Sequence, residues 1–203
     1  ESARDSIKLL INAQALKASA YGLPTEFHTL LSSIGGTRIN AFTQPDRTVY
    51  HNSFPGEQME KWLELYAERY NHPVFRSFQS ELEVVYEEKN RGSDNFGQLL
   101  IETLNKELFP NHPYGTQSTI GTTEHLKNPP IDRIYDFYNT YYVANNMALV
   151  LSGNFDVEST KALIEKKMSG LRVGKVPEFV SPAAAQFTED KKIEMRISPI
   201  KLA

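Results

Sequence analysis

The chain has 203 residues, of which 40% are hydrophobic, 23% are charged and 11% are aromatic, and its formal net charge is −3 at pH 7. This composition is that of an ordinary globular protein, and the length suits one sizeable domain. The balance of charge excludes a typical nucleic-acid binder, no apolar stretch of about 18 residues predicts a membrane span, and zero cysteines exclude thiol catalysis and cysteine-ligated zinc.

Both ends of the sequence are interpreted as cuts in a longer polypeptide. The chain starts at Glu1 without a methionine or a signal-like segment and enters helix-like sequence at once. It ends on an apolar, extended-looking stretch, residues 196–203, without a terminating turn. The absence of a targeting signal therefore carries no information about localisation.

The spacing of apolar residues predicts many helices and few strands. The predicted helices are residues 6–20, 26–34 with Thr25 as N-cap, the segment between Pro55-Gly56 and His72-Pro73, and residues 75–90, 95–108, 132–142 and 156–171 with Asp156 as N-cap. The predicted strands are 37–43, 48–54, 147–152, which we expect to be buried, and 192–198, while 110–121 is predicted to be a loop. The first two strands form a hairpin around Pro45-Asp46. Intermixed helices and hairpins favour an α+β layer sandwich, with a mostly antiparallel sheet and helices on one face.

The segment from residue 78 to residue 90 carries four carboxylates on a predicted helix. One stripe consists of Glu81, Val84, Val85 and Glu88, and the other two carboxylates lie on another face. A carboxylate on a half-buried stripe costs desolvation energy unless a cation or hydrogen bonds compensate it. Seven helical residues rise about 10 Å, so one carboxylate would bind an ion and the other would support it. The alternative is a charged, solvent-facing helix.

A second segment, residues 34–50, contains a double glycine followed by the predicted hairpin. A helix stop and a hairpin account for every residue in it. An exposed edge of that hairpin could also accept a peptide as an added strand.

Several segments together resemble one known family. They are Gly35-Gly36, Asn40-Ala41-Phe42-Thr43, residues 46–50, residues 81–88, His112-Pro-Tyr-Gly115, and residues 137–153 with Phe137-Tyr138 and Asn145-Asn-Met-Ala-Leu-Val150. Their order and spacing over roughly residues 30–170 are similar to those of the amino-terminal domain of pitrilysin and insulinase-type peptidases. The resemblance implies an inserted helical segment at 1–24, as in some bacterial members, a peptidase domain at 25–180, and a linker and strand at 181–203.

The resemblance also implies a metal and a set of site residues. These peptidases are inverzincins, whose Zn²⁺ is bound by the two histidines of a His-x-x-Glu-His motif and by a distal glutamate. Glu88 resembles the distal ligand, and Glu81 resembles the acidic residue that supports it. Asn40, Ala41 and Phe42 match the edge strand that pairs with the substrate backbone.

The His-x-x-Glu-His motif is absent from this sequence. The five histidines are His28, His51, His72, His112 and His125, and no two have that spacing. The partial match Gly121-Thr-Thr-Glu124-His125 is interpreted as coincidence, because it lies downstream of Glu88 whereas the family's motif lies upstream of the double glycine. A zinc site needs three protein ligands, so we expect the chain alone to be inactive and to bind no zinc.

The expected function is that of part of a zinc-dependent metalloendopeptidase acting on peptides or unfolded polypeptides. The resemblance implies partner domains of the same type, in the same polypeptide or in another subunit, and it favours the periplasm or cell envelope. A non-catalytic homologue that serves as a structural or peptide-binding half is the alternative. A likeness of fold alone is the third possibility.

Overall fold

The computed structural model describes residues 6–7, 9–10, 13–14, 17, 25–75, 78–93, 95–127, 130–182, 186–187 and 189–194. The described residues before Thr25 are helical, and the rest of the predicted first helix lies outside the described part. The helices are α1 (Glu26–Ser33), α2 (Met59–Asn71), α3 (Phe78–Ser93), α4 (Phe96–Leu108), α5 (Pro113–Thr116), α6 (Thr123–Lys127), α7 (Ile131–Tyr141) and α8 (Val157–Met168). Short 3-10 turns occupy Gly56–Gln58 and Ala144–Asn146.

One β-hairpin is present in the described part of the chain. Its strands are β1 (Thr37–Gln44) and β2 (Arg47–Ser53), joined by the predicted turn residues Pro45 and Asp46. Such a short connection makes the two strands antiparallel. The α+β class predicted from the sequence is confirmed.

The double glycine ends α1 and directs the chain into β1. Gly35 has φ +83°, a left-handed conformation that glycine adopts without strain. The Gly36 N–H donates to the Leu31 carbonyl at 2.8 Å. A Cβ at position 36 would lie 2.6 Å from that carbonyl oxygen, so the backbone approaches α1 too closely for any side chain.

The described residues divide into two compact units. Unit 1 contains residues 1–42, 48–78 and 131–177, and unit 2 contains residues 43–47, 79–130 and 178–203. The core of unit 1 consists of Leu31, Met59, Trp62, Leu63 and Tyr66. Ile39, Tyr50 and Phe54 of the hairpin region and several α8 side chains pack against this core, so helices and hairpin form two layers.

Helix α8 begins as predicted. The Asp156 side chain accepts a hydrogen bond from the Ser159 N–H at 2.8 Å, which satisfies an amide that the helix itself leaves unpaired. At the C-terminal end of α8, Lys167 bonds the carboxylates of Glu60, at 2.7 Å, and Glu64. These contacts tie α8 to α2.

Unit 2 consists mainly of helices α3 to α6. The Asn95 side chain caps α4 by accepting a hydrogen bond from the Gln98 N–H at 3.2 Å. The loop predicted from 110 to 121 is interrupted by α5, which His112 begins by accepting a hydrogen bond from Tyr114 N. Proline at the first helical position favours this turn, and the sequence prediction missed it.

Two predicted strands are not found. Residues 147–152 form no ladder with any described residue, and Val150 is 85% exposed rather than buried. The apolar pattern correctly indicated an extended backbone, since Met147 has φ −122° and ψ 148°, but a strand also requires a paired neighbour. Residues 192–194 are irregular, and 195–198 lie outside the described residues.

Candidate active-site segments

The two carboxylates predicted to serve the metal lie on α3. Both Glu81 and Glu88 are exposed, and Val84 between them is 50% exposed. The prediction of a half-buried stripe through these residues is therefore wrong. The partly buried positions of α3 include Leu82, Val85, Tyr86 and Lys89. These four residues repeat the i, i+3, i+4, i+7 spacing of the predicted stripe, shifted by one residue. Spacing alone does not determine which of two adjacent stripes is buried.

The side chain of Lys89 connects α3 to another segment of unit 2. The Lys89 ammonium donates to the Gly121 carbonyl at 2.7 Å, and Gly121 has φ +80° in the segment before α6. On the exposed side, Arg91 and Glu87 form an i, i+4 ion pair at 3.4 Å. Glu88 follows Glu87 on a solvent-facing surface where an ion could reach it.

The predicted substrate strand lies in the middle of β1. Asn40, Ala41 and Phe42 are all exposed, and the Asn40 side-chain oxygen accepts the Ala41 N–H at 2.8 Å. Phe42 faces His51 of β2, with 6.1 Å between ring centroids. Since the described sheet has two strands, β1 pairs with β2 on one side and keeps its other edge open within the described residues. An open edge is the feature that strand addition requires.

The described residues do not complete a zinc site. They contain no group of three or more histidine, aspartate or glutamate side chains close enough to hold a metal ion, and the chain has no cysteine. A zinc site takes three or four protein ligands. The residues present therefore do not fit zinc by themselves.

Three of the described histidines have other partners. His72 lies 3.0 Å from the Glu68 carboxylate on the exposed end of α2, and His28 contacts Ser32 within α1. His112 caps α5. These three histidines therefore have structural or surface roles.

One cluster was not singled out from the sequence. Tyr138 of α7 is buried, whereas its neighbour Phe137 is 56% exposed. Arg69 of α2 lies over the rings of Phe27 and Tyr50 and lines a cavity with Phe137 and Tyr138, and no sequence motif marks it. Its stacking partners come from distant segments of the chain, which only the fold brings together.

Comparison with known proteins shows the family. Residues 12–123 match the family model described as "Insulinase (Peptidase family M16)", and residues 130–199 match the model described as "Peptidase M16 inactive domain". The chain belongs to the insulinase family of peptidases. The resemblance inferred from the ordered segments is thereby confirmed.

Individual relatives cover most of this chain. An uncharacterized zinc protease of Rickettsia bellii is 29% identical over 74% of this chain and 36% of its own length. A protease from Helicobacter pylori has a similar structure, with a TM-score of 0.67 and 25% identity over 79% of this chain and 38% of that one. The first half of the periplasmic protease PqqL from Escherichia coli shares the fold, with a TM-score of 0.67 and 23% identity over 77% of this chain and 35% of that one.

The chain spans little more than a third of the length of the first relatives that it matches. In the part of the chain that the structure describes, no helix has both the length and the apolar character needed to cross a bilayer.

Proposed function

We propose that this chain is part of a zinc-dependent metalloendopeptidase that hydrolyses peptides or unfolded polypeptides. The match of residues 12–123 to the insulinase model carries the proposal, because that range includes both β1 and α3. The Rickettsia bellii relative is named a zinc protease, which supports Zn²⁺ as the metal of the intact protein.

Each candidate residue has one role in this proposal. Glu88 is the carboxylate ligand of zinc, and Glu81 supports it from two turns earlier on the same helix. Asn40, Ala41 and Phe42 align the substrate backbone along the open edge of β1. Two histidine ligands and the catalytic glutamate come from residues outside these 203, so the chain alone is inactive and retains no zinc.

The proposed organisation follows the family. Residues 1–24 are an inserted helical segment, 25–180 an incomplete peptidase domain, and 181–203 a linker and strand. The partners are further pitrilysin-type domains, and the description of PqqL by its first half supports such a two-part arrangement. The periplasm or cell envelope is the proposed compartment, supported by the description of PqqL as periplasmic.

The test is Glu88→Gln in the full-length polypeptide that contains this chain. Glutamine keeps the size of the side chain but is a poorer zinc ligand, so we expect zinc content and cleavage of an unfolded polypeptide to fall together, by about 100-fold in activity. Glu83→Gln is the matched control, because Glu83 is an exposed carboxylate of the same helix. It should leave both quantities unchanged.

One observation favours a second candidate, a non-catalytic homologue that acts as a structural or peptide-binding half. Residues 130–199 match the model of the inactive domain. The same experiment distinguishes the two candidates. Full zinc content and undiminished proteolysis in Glu88→Gln would contradict the ligand role and leave the non-catalytic half as the remaining function.

A further inference from the structure

A small cavity of about 170 Å³ lies in unit 1, between β2, α2 and α7. Six aromatic side chains and Ile134 line it, together with Arg69. Arg69 is the one side chain of this lining that is charged at neutral pH. The cavity therefore combines apolar walls with a single positive charge.

The guanidinium of Arg69 contacts two aromatic rings. It lies 4.3 Å from the centroid of Phe27 and 4.3 Å from that of Tyr50. Both contacts have the distance of a cation–π interaction, and the five N–H donors of the guanidinium lie in its own plane. Among the described residues, no carboxylate or carbonyl accepts a hydrogen bond from them. An arginine restrained by two ring contacts loses less conformational freedom when it binds a planar acceptor.

Four tyrosines line the same cavity as Arg69. The hydroxyl oxygens of Tyr50 and Tyr142 are 2.9 Å apart, and Tyr138 donates to the Tyr70 carbonyl at 3.1 Å. Burial raises the pKa of Tyr70 and that of Tyr142, so both remain protonated at neutral pH. Tyr70 is therefore a neutral donor, and its hydroxyl has no hydrogen-bond partner within the residues that the structure describes.

We propose that this cavity binds a carboxylate group with a short apolar stem, with Arg69 and the Tyr70 hydroxyl as its donors. One cation balances one negative charge, which fits a carboxylate better than a phosphate dianion. The planar fork of arginine matches the two carboxylate oxygens, and the rings accept the stem. The volume is below the range of drug-sized sites, which limits the ligand to a small group. The proposal is independent of the zinc peptidase function.

Benzoate is the probe, and benzamide is its uncharged counterpart. Each is titrated into the 203-residue chain and followed by calorimetry and by NMR shifts of the tyrosine rings. We expect benzamide to bind about tenfold more weakly, because it loses the charge-assisted hydrogen bonds to arginine. Equal binding of the two compounds, or benzoate binding to neither the 203-residue chain nor the full-length polypeptide, would overturn the proposal.

Variants locate the binding in the cavity. Arg69→Gln abolishes benzoate binding, and Tyr70→Phe, which keeps the ring, weakens it roughly threefold to tenfold. Arg133→Gln is the control, because Arg133 is an exposed arginine of α7 outside the lining, and it leaves binding unchanged. Circular dichroism verifies that each variant is folded. A folded Arg69→Gln protein that still binds benzoate contradicts the proposed site.

The carboxylate has two possible sources, a free small molecule or an acidic group from the rest of the polypeptide. The full-length polypeptide separates them. Benzoate binding to both forms indicates a free ligand. Binding to the 203-residue chain alone indicates that the polypeptide supplies its own carboxylate to Arg69.

Discussion

Unit 1 and unit 2 bury their apolar side chains to very different extents. Unit 1 holds every fully buried large side chain that the structure describes, namely Leu31, Leu63 and Val143. In unit 2, Phe96, Ile101 and Leu108 are 51%, 56% and 46% exposed. Tertiary packing therefore stabilises the first unit, whereas the helices of the second depend more on caps and short-range pairs. The proposed substrate strand belongs to the first unit and the proposed zinc ligand to the second.

The largest expected effect comes from emptying the core of unit 1. Leu63→Ala removes a side chain that is 0% exposed and should lower the free energy of unfolding by about 2–5 kcal/mol. Leu104→Ala in unit 2, where the side chain is 37% exposed, should cost about 1 kcal/mol or less. Urea unfolding followed by circular dichroism measures both. Equal losses would show that unit 2 has a core comparable to that of unit 1.

A backbone clash should be the next largest effect. Gly36→Ala forces a methyl group against the Leu31 carbonyl and should destabilise the chain by about 1–3 kcal/mol. In unit 2, Gly97→Ala lies in α4, where a Cβ would meet the Asn95 side chain at 3.4 Å, and the better helix propensity of alanine should stabilise by about 0.5 kcal/mol. Thermal unfolding gives the sign of each change. A neutral Gly36→Ala would show that β1 can move away from α1.

Removing a cap tests how much unit 2 depends on local effects. Asn95→Ala leaves the Gln98 N–H of α4 without its acceptor and should cost about 1 kcal/mol. Amide hydrogen exchange in α4 provides the measurement. Asn95→Asp should restore protection, because it keeps the acceptor and adds a charge that favours the helix N-terminus. Exchange rates unchanged in Asn95→Ala would mean that packing, not capping, holds this helix.

Asp156, which caps α8 in unit 1, can be protonated, whereas Asn95, which caps α4 in unit 2, has no titratable group. Hydrogen bonds from Ser159 hold the pKa of Asp156 below its usual value of 3.8. A lowered folded-state pKa contributes stability above the unfolded value, and this contribution is lost as the pH falls through the folded value. Melting temperatures of the wild type should therefore decline more steeply below pH 3.8 than those of Asp156→Asn. Parallel pH profiles would contradict the capping role of the carboxylate.

The smallest effect is expected for the exposed ion pair of α3. Arg91→Ala removes a partner of Glu87 whose side chain is 69% exposed, and it should cost less than about 0.5 kcal/mol. The measurement is chemical unfolding at low and high salt. A larger, salt-sensitive loss would indicate that this surface belongs to a wider charge network.

The sequence predicted elements whose signals are local. The apolar stripe of α2, the double glycine and the Asp156 cap lie within a few residues of the structures they determine, and all were predicted. A strand at residues 147–152 would need a paired strand from elsewhere in the chain. No local sequence pattern indicates whether such a strand is present. The contacts of Arg69 with Phe27 and Tyr50 likewise join segments that are distant in the sequence.

The candidate site was less predictable than the fold. Spacing alone placed Glu81 and Glu88 on a half-buried stripe, whereas the structure leaves both exposed. Their assigned roles came from the order of several segments, which periodicity does not encode. Two stripes one residue apart differ by about 100° around a helix axis, so a small error in register reverses the predicted environment of a carboxylate.

The extended segment after the 3-10 turn at Ala144–Asn146 has a consequence for handling the protein. Its peptide groups from Ala148 to Ser152 form no backbone hydrogen bonds with the described residues, and Val150 projects beside them. Open peptide groups next to apolar side chains are the surface through which chains aggregate edge to edge. The average molar mass of the isolated chain, measured by light scattering, should therefore increase with concentration. Val150→Lys should suppress this increase.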